Sequence, residues 1–209
     1  MKWFLICFLF AGCVTAKPKD YSKFREASIR SILVLPVVNN STEVGAAESM
    51  LSTVPIFIGE SGYYVFPVNA VKRVLEDENL GDSSLLHKSD PVKLAALFGA
   101  DAVLYVSIES WTAKYVILST SVEVDLNFVL KDGRSGLVLW EERRAQAYIP
   151  PNTGTGLEGL ISAAVNAALT KASPNYVPLA KMINTEVFEY PGPGLLPGPY
   201  KKQVNYNRK

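Results

Sequence analysis

A chain of 209 residues is long enough to bury a hydrophobic core of its own. Its 21 basic and 20 acidic side chains give a formal net charge of +1, and without Lys2 the charges balance. This balance excludes the strongly basic surface of a nucleic-acid binder and leaves no polybasic patch for anionic lipid. We therefore expect no nucleic-acid partner.

The first thirteen residues have the layout of a secretory signal followed by a lipid attachment site. Lys2 precedes an apolar run, Trp3–Phe10, that is much shorter than the ~20 residues of a membrane-spanning helix. The next residues complete the sequence Phe10-Ala11-Gly12-Cys13, which resembles a bacterial lipobox with phenylalanine in place of the usual leucine. We expect a signal peptide over residues 1–12 and acylation of the Cys13 thiolate. A hydrophobic N-terminal strand is the alternative.

Removal of the signal peptide leaves no cysteine other than Cys13, because Cys7 leaves with the signal. We therefore expect no disulfide, and an anchor of two or more acyl chains of the palmitate type on Cys13. Val14 stands where an aspartate would resemble the inner-membrane retention signal. By that resemblance the chain is predicted to reach the outer membrane, facing the periplasm or the cell surface.

Residues 13–28 are polar, mixed in charge and without sustained periodicity, which predicts a lipidated cysteine on a flexible tether. Residues 29–189 are predicted to form one domain. Its first half is predicted to contain a strand Ser31–Val38 of the kind buried on both faces, a helix from Val44, a strand Tyr63–Pro67, a helix Val68–Leu80 and a helix from Pro91 to Gly99.

Three longer strands and two helices are predicted in the second half. They are a strand Ala102–Trp111, a strand 122–130 with near-strict alternation, a strand Leu137–Tyr148, a helix Thr155–Lys171 with an apolar stripe that includes Leu157 and Leu160, and a helix Val177–Phe188. Trp111 and Trp140 are expected in the core. This order predicts a mixed α/β (α+β) fold with a sheet of about five to six strands. The first three strands are expected to be parallel through helical crossovers and the last three to form an antiparallel meander, with helices packed on the sheet.

The last segment, residues 190–209, is rich in proline and glycine, which excludes a helix or a central strand. It still carries the apolar side chains of Leu195, Leu196 and Tyr200. Two interpretations stay open: a disordered terminus, or an extended arm that docks on a neighbouring subunit or partner through these side chains.

The sequence shows no catalytic constellation and no metal site. Gly154, Gly156 and Gly159 match a dinucleotide motif only in their spacing, because no strand directly precedes them and none completes the unit. His87 is the only histidine and is expected to be solvated in a polar loop. We therefore expect no cofactor, no metal and no enzymatic activity.

One polar cluster suggests a ligand or partner crevice. Asn39, Asn40 and Ser41 follow the first predicted strand, at the edge where open α/β sheets often bind ligands. Ordinary turn chemistry explains the same residues equally well.

Three phrases, in order behind the lipobox, carry a family resemblance: SILVLPVVNNSTEV, LFGADAVLYVSIESW and KDGRSGLVLWEERR. They resemble a family of bacterial lipoproteins of unknown function that includes a meningococcal surface-antigen lipoprotein. The resemblance implies a fold similar to the N-terminal domain of TolB and the periplasmic domain of CsgG. It also implies outer-membrane anchoring, homo-oligomers and envelope lipoprotein partners.

Together these observations predict an outer-membrane-anchored lipoprotein that is a non-catalytic binding and assembly component of the cell envelope. By the resemblance, it would be accessory to a CsgG-like export system, since the chain lacks long amphipathic strands for a pore of its own. The alternative is a periplasmic lipoprotein that binds a small ligand or glycan near Asn39 and Asn40.

Overall fold

The computed structural model describes residues 19–116, 119–149, 156–168, 174–189 and 194–202. The predicted signal peptide, the proposed lipidation site at Cys13 and residues 14–18 lie outside these ranges, as does Gly154 of the glycine motif.

Helices and strands alternate in the first half of the chain, and long strands dominate the second. The helices are α1 (Ser22–Ala27), α2 (Val44–Glu60), α3 (Val68–Asp77), α4 (Ser83–Leu86), α5 (Pro91–Phe98), α6 (Leu157–Ala168) and α7 (Val177–Asn184), which continues into a π-helical segment (Thr185–Glu189). The strands are β1 (Ser31–Val34), β2 (Val38–Asn39), β3 (Tyr64–Val65), β4 (Ala102–Val116), β5 (Ser119–Asp132) and β6 (Val138–Tyr148).

The strands form one mixed sheet in the order β3-β1-β4-β5-β6, with β2 also paired to β4. β1 is parallel to both β3 and β4, whereas β5 is antiparallel to β4 and β6. The parallel pairs are linked by helices, because a parallel connection needs a crossover, and the antiparallel pairs by hairpins. The predicted mixed α/β fold, with three parallel strands followed by a meander, is confirmed.

The predicted strand Ser31–Val38 is wrong in its continuity, because the chain leaves the sheet after Val34 and returns at Val38. Pro36 lies in the interruption, and proline has no backbone N–H to donate to a ladder. Both pieces still pair with β4, at Val34 opposite Leu104 and at Val38 opposite Ser107.

Hydrophobic clusters cover both faces of the sheet. The alternation predicted for β5 is confirmed, since the side chains of Val122, Val124, Leu126, Phe128 and Leu130 are all buried in the larger cluster with α2 and α7. Trp111 and Trp140 are buried there too, as predicted. The smaller cluster, on the opposite face, joins β1 and the start of β4 to α3, α4 and α5.

The prediction of a flexible tether through residue 28 is wrong for its second half. Residues 22–27 form helix α1, in which Phe24 is 5% exposed, and the preceding Tyr21 is 7% exposed. Both rings belong to the larger cluster. A six-residue helix that buries so few side chains is too short to show a helical period in the sequence.

The predicted apolar stripe of α6 packs only in part. Ala164 and Val165 are buried, but Leu157 and Leu160 are 74% and 67% exposed. The helix begins at Leu157, and Thr155, where its start was predicted, lies outside the described residues. The first turn of α6 therefore displays leucine side chains on the surface of the chain.

His87 is not the solvated side chain that the sequence predicted. It follows the short helix α4, its Nε2 lies 2.9 Å from the carbonyl oxygen of Pro36, and its ring packs edge-on against Tyr105. Burial lowers the pKa of His87 below its ordinary value, and the nearby Lys131 acts in the same direction, while the bond to Pro36 opposes them.

Because burial favours neutral His87, the unfolded chain takes up a proton at higher pH than the folded chain does. The histidine therefore contributes stability that is present above its unfolded pKa of 6.5 and is lost as the pH falls through and below that value. Urea unfolding between about pH 7.5 and about pH 5.5 should show this loss. The variant His87→Phe, which does not titrate, should show a smaller loss; an equal loss would contradict the assignment.

Candidate functional site

Asn39 organises the loop between β2 and α2 through both ends of its amide. Its Oδ1 accepts hydrogen bonds from the backbone N–H of Ser41 at 3.0 Å and from the Ser41 hydroxyl at 2.7 Å. Its Nδ2 donates to the carbonyl oxygen of Glu43 at 3.0 Å. This is the local turn chemistry by which asparagine stabilises a loop before a helix.

The neighbouring polar groups of this loop also have partners within the chain. Asn40 donates its Nδ2 to Glu109 at 3.1 Å, and its backbone N–H to the carbonyl oxygen of Ile108 at 2.8 Å. The Glu43 carboxylate accepts from the Tyr176 hydroxyl. The structure thus brings Asn39, Asn40 and Ser41 together and supplies each with a bond to its own chain. A ligand crevice at these residues stays a prediction.

The described part of the C-terminal arm, residues 194–202, packs on its own domain. Leu195 is 8% exposed in the larger cluster and Leu196 packs against it, while Tyr200 remains 61% exposed. Neither a disordered terminus nor a free arm describes these residues, because Leu195 and Leu196 bury their side chains within the same chain. Docking of the arm on another subunit stays a prediction, with Tyr200 as its exposed residue.

Backbone hydrogen bonds fix the arm against the turn after α2. The backbone N–H of Gly198 donates to Ser61 at 2.7 Å and that of Tyr200 to Gly62 at 3.0 Å. The Tyr63 hydroxyl donates to the carbonyl oxygen of Leu196 at 2.8 Å. Burial raises the pKa of Tyr63, so this hydroxyl keeps its proton for that bond.

Two glycines make this close approach sterically feasible. Gly62 has a φ of +91°, and a Cβ there would lie 2.3 Å from the backbone nitrogen of Lys201. A Cβ on Gly198 would lie 2.3 Å from the carbonyl oxygen of Gly62. Both distances are far below van der Waals contact with rigid backbone atoms. The arm therefore docks only because neither position carries a side chain.

Helix α1 meets the arm at the same place. The Tyr21 hydroxyl donates to the carbonyl oxygen of Gly194 at 2.5 Å, and the Phe24 ring packs edge-on against Tyr63 with ring centroids 6.5 Å apart. The N-terminal and C-terminal ends of the described chain are thus joined through aromatic side chains. Sequence reasoning missed this junction, for which the aromatic residues at 21 and 24 were the available signal.

A groove of about 400 Å³, here called the terminal groove, lies between α1 and the arm. Its lining consists of apolar side chains, two arginines and the arm itself: Phe24, Ile29, Tyr63, Leu196, Arg25, Arg30, Ser28 and residues 197–199. Arg25 and Arg30 are exposed, and the described residues include no ion-pair partner for either guanidinium. The groove thus combines an apolar lining with two arginine side chains that form no ion pair within the described ranges.

A second, smaller cavity of about 270 Å³ flanks α1 on the side of β6. Lys19 lies there over the Trp140 ring and forms an ion pair of 2.6 Å with Glu142. Because this lysine is already neutralised, the cavity is a weaker candidate for an anionic ligand than the terminal groove.

β6 is an edge strand of the sheet and, within the described ranges, pairs only with β5. An unpaired edge of this length is a template for another chain unless charges or bulges protect it. Arg143, on this edge, is neutralised by Asp125 through two hydrogen bonds of 2.9 and 2.7 Å. This pairing lowers the pKa of Asp125 and removes a net charge that would otherwise repel a second strand.

No helix among the described residues is both long and apolar enough to cross a bilayer. Over the same residues, no group of three or more histidine, cysteine, aspartate or glutamate side chains is placed to hold a metal ion.

A family model and a related protein both match this chain, and the two matches agree on one family. The family model described as "Putative lipoprotein GNA1162-like" matches residues 19–200. The relative "Putative lipoprotein NMB1124/NMB1162" of Neisseria meningitidis serogroup B is 32% identical over 182 residues, which cover 86% of this chain and 85% of the relative. The resemblance inferred from the three sequence phrases is therefore confirmed.

One solved structure of the same family agrees with this fold. The crystal structure of lipoprotein GNA1162 from Neisseria meningitidis, at 32% identity, superposes with a TM-score of 0.57 over 65% of this chain and 94% of that chain. A PelC dodecamer from Paraburkholderia phytofirmans, at 17% identity, gives a TM-score of 0.41 over 66% of this chain and 81% of that chain. At that score the PelC similarity carries no functional inference.

The variant Gly198→Ala should displace the arm, because its Cβ would collide with the carbonyl oxygen of Gly62. Losing the burial of Leu195 and two backbone hydrogen bonds should lower the free energy of unfolding by about 2–4 kcal/mol. Urea unfolding measures this loss, and limited proteolysis should cut the arm faster.

The matched control is Gly59→Ala, in α2, where a Cβ would meet no atom within 4 Å. This change should raise stability by about 0.5–1 kcal/mol, because alanine is the better helix former. An arm equally resistant to protease in Gly198→Ala and in the parent chain would contradict the docking.

Proposed function

The chain belongs to the GNA1162-like lipoprotein family, and from this premise we propose that it is a non-catalytic assembly component of the bacterial envelope. In this proposal acyl chains on Cys13 anchor it in the outer membrane, and copies of the domain associate with one another. The observation that carries the proposal is a lipobox only five residues before a folded domain that exposes an unpaired strand edge and two surface leucines.

The length of the tether supports a domain held close to the membrane. Lys19 already lies in the folded structure, so residues 14–18 are the only spacer between it and Cys13. Six residue steps span at most about 20 Å when fully extended. The sequence-based tether through residue 28 would have allowed about 55 Å. An acylated Cys13 would therefore keep α1 beside the membrane surface.

Self-association is supported by two exposed features. The edge of β6 that faces away from β5 offers backbone hydrogen-bonding groups to another chain, except at Glu141, whose carbonyl oxygen already accepts from Lys19. Leu157 and Leu160, three residues apart on α6 and so neighbours on one face of the helix, add two exposed apolar side chains. Membrane anchoring favours association further, because it raises the effective concentration of the copies.

The partner system proposed is a CsgG-like export apparatus, with this chain as an accessory lipoprotein. This part of the proposal rests on the resemblance to the periplasmic domain of CsgG noted for the three sequence phrases. The alternative, a small-ligand or glycan-binding lipoprotein, gains no support at the loop of Asn39 and Asn40, where the polar side chains bond within the chain.

Acylation can be tested on full-length protein isolated from the native host. Intact-mass spectrometry should show a chain that begins at Cys13 and carries the mass of two or three acyl chains. The variant Cys13→Ala should keep its leader and gain no lipid mass. Cys7→Ala is the matched control, because Cys7 leaves with the signal, and it should be processed normally. An unmodified N-terminus in the parent chain would contradict the proposed acyl anchor on Cys13.

Self-association can be tested by light scattering across a concentration series of residues 14–209. The parent chain should form oligomers, and Leu157→Glu with Leu160→Glu should weaken association at least about 100-fold, since burying each leucine is worth about 1.5–3 kcal/mol. Leu85→Glu with Leu97→Glu, which alters leucines that are 63% and 44% exposed on α4 and α5, should leave it unchanged. A parent chain that is monomeric at every concentration would contradict self-association.

A further inference from the structure

The terminal groove lies on the part of the domain that the proposed anchor holds at the membrane. Its wall on one side is α1, which starts three residues after Lys19. With a spacer of about 20 Å at most, the groove cannot move far from the lipid headgroups. This step depends on the acylated Cys13 proposed above.

The charge of this region is complementary to an anionic membrane surface. Arg25 and Arg30 border the groove, and Lys23, Lys201 and Lys202 are further exposed cations on α1 and at the end of the arm. The acidic side chains on the same segments are Asp20 and Glu26. Cations are already in excess within residues 19–30, and folding brings Lys201 and Lys202 from the other end of the sequence to the same region.

The two arginines suit a phosphate group better than a diffuse negative charge. A guanidinium presents a planar fork of N–H donors that binds two phosphate oxygens at once, and two such groups border a single cavity. Neither has an ion-pair partner within the described ranges, so a bound phosphate would not have to displace a carboxylate.

The apolar floor and the rigid wall of the groove indicate which chemical group of the ligand adjoins the phosphate. Phe24, Ile29 and Tyr63 are buried beneath the groove, with Leu196 beside them. The opposite wall is fixed by the hydrogen bonds of Gly198 and Tyr200 to the turn after α2. A cavity of about 400 Å³ is within the usual size range of small-molecule sites. An anion with an adjoining apolar portion fits this surface.

We propose that the terminal groove binds the phosphate group of an anionic phospholipid, with Arg25 and Arg30 on the phosphate and the apolar floor against the glycerol and the first acyl carbons. Anchor and groove then act on the same membrane, and the groove fixes which side of the domain faces it. This orientation is a second lipid contact, independent of the covalent one.

Vesicle flotation with residues 14–209 tests the proposal without the acyl anchor. Both hydrophobic clusters are built from residue 21 onward, so this chain keeps its core. It should bind vesicles of phosphatidylcholine mixed with phosphatidylglycerol and not vesicles of phosphatidylcholine alone. Arg25→Glu with Arg30→Glu should weaken binding at least about tenfold. Arg25→Lys with Arg30→Lys should weaken it less, because the charge is kept but the fork is lost.

The matched control is Arg73→Glu with Lys93→Glu, which makes the same change of net charge at exposed positions on α3 and α5. Equal loss of binding in both double variants, or binding that does not require phosphatidylglycerol, would contradict the assignment of lipid binding to the terminal groove. If inorganic phosphate competes at the concentration of the accessible lipid phosphate, the groove is a site for a free anion, and the proposal of a phospholipid ligand is contradicted. Absence of vesicle binding would also contradict the proposed lipid site. It would leave the proposed acylation of Cys13 untouched, because that is tested separately by intact-mass spectrometry.

Discussion

The pairing of β4 is the constraint on which the rest of the fold depends. This strand is parallel to β1 and β2 on one side and antiparallel to β5 on the other, so it joins the crossover half of the chain to the meander. Its first residues are buried on both faces of the sheet: Val103 faces α3 to α5, and Leu104 faces the larger cluster. A register shift of one residue would exchange these side chains between the two clusters and disrupt the packing on both faces of the sheet.

The same pairing determines where the polar loop and the groove lie. β2 continues along β4 beyond β1, which places Asn39 and Asn40 beside Ile108 and Glu109, at the end of the sheet where α2 begins. The terminal groove lies at the other end of α2, where the turn at Ser61 and Gly62 receives the arm. A single helix therefore separates the ligand loop suggested by the sequence from the groove found in the structure.

The sequence predicted those elements whose burial follows a local period. β5 was predicted because five apolar residues alternate on one face, and α5 because Asp90, Pro91 and Gly99 mark its ends. The terminal groove was beyond local reasoning, since it is made from residues 24–30, 63 and 196–199, which meet only in three dimensions. His87 was mistaken for a solvated residue because its partner, the carbonyl oxygen of Pro36, is 51 positions away.

The proposed acyl anchor would limit how copies of the domain can associate. β6 has 11 residues and is about 35 Å long, and α1 packs beside it, with Lys19 bonded to Glu142. Lys19 already occupies part of this edge, because its ammonium donates to the backbone carbonyl of Glu141 and pairs with the Glu142 carboxylate. A second β6 strand would have to displace Lys19 to extend the sheet here. Association through Leu157 and Leu160 about an axis normal to the membrane keeps every α1 on one side, and with it every terminal groove. The proposed self-association and the proposed lipid binding are therefore compatible when α6, more than the β6 edge, provides the contact between copies.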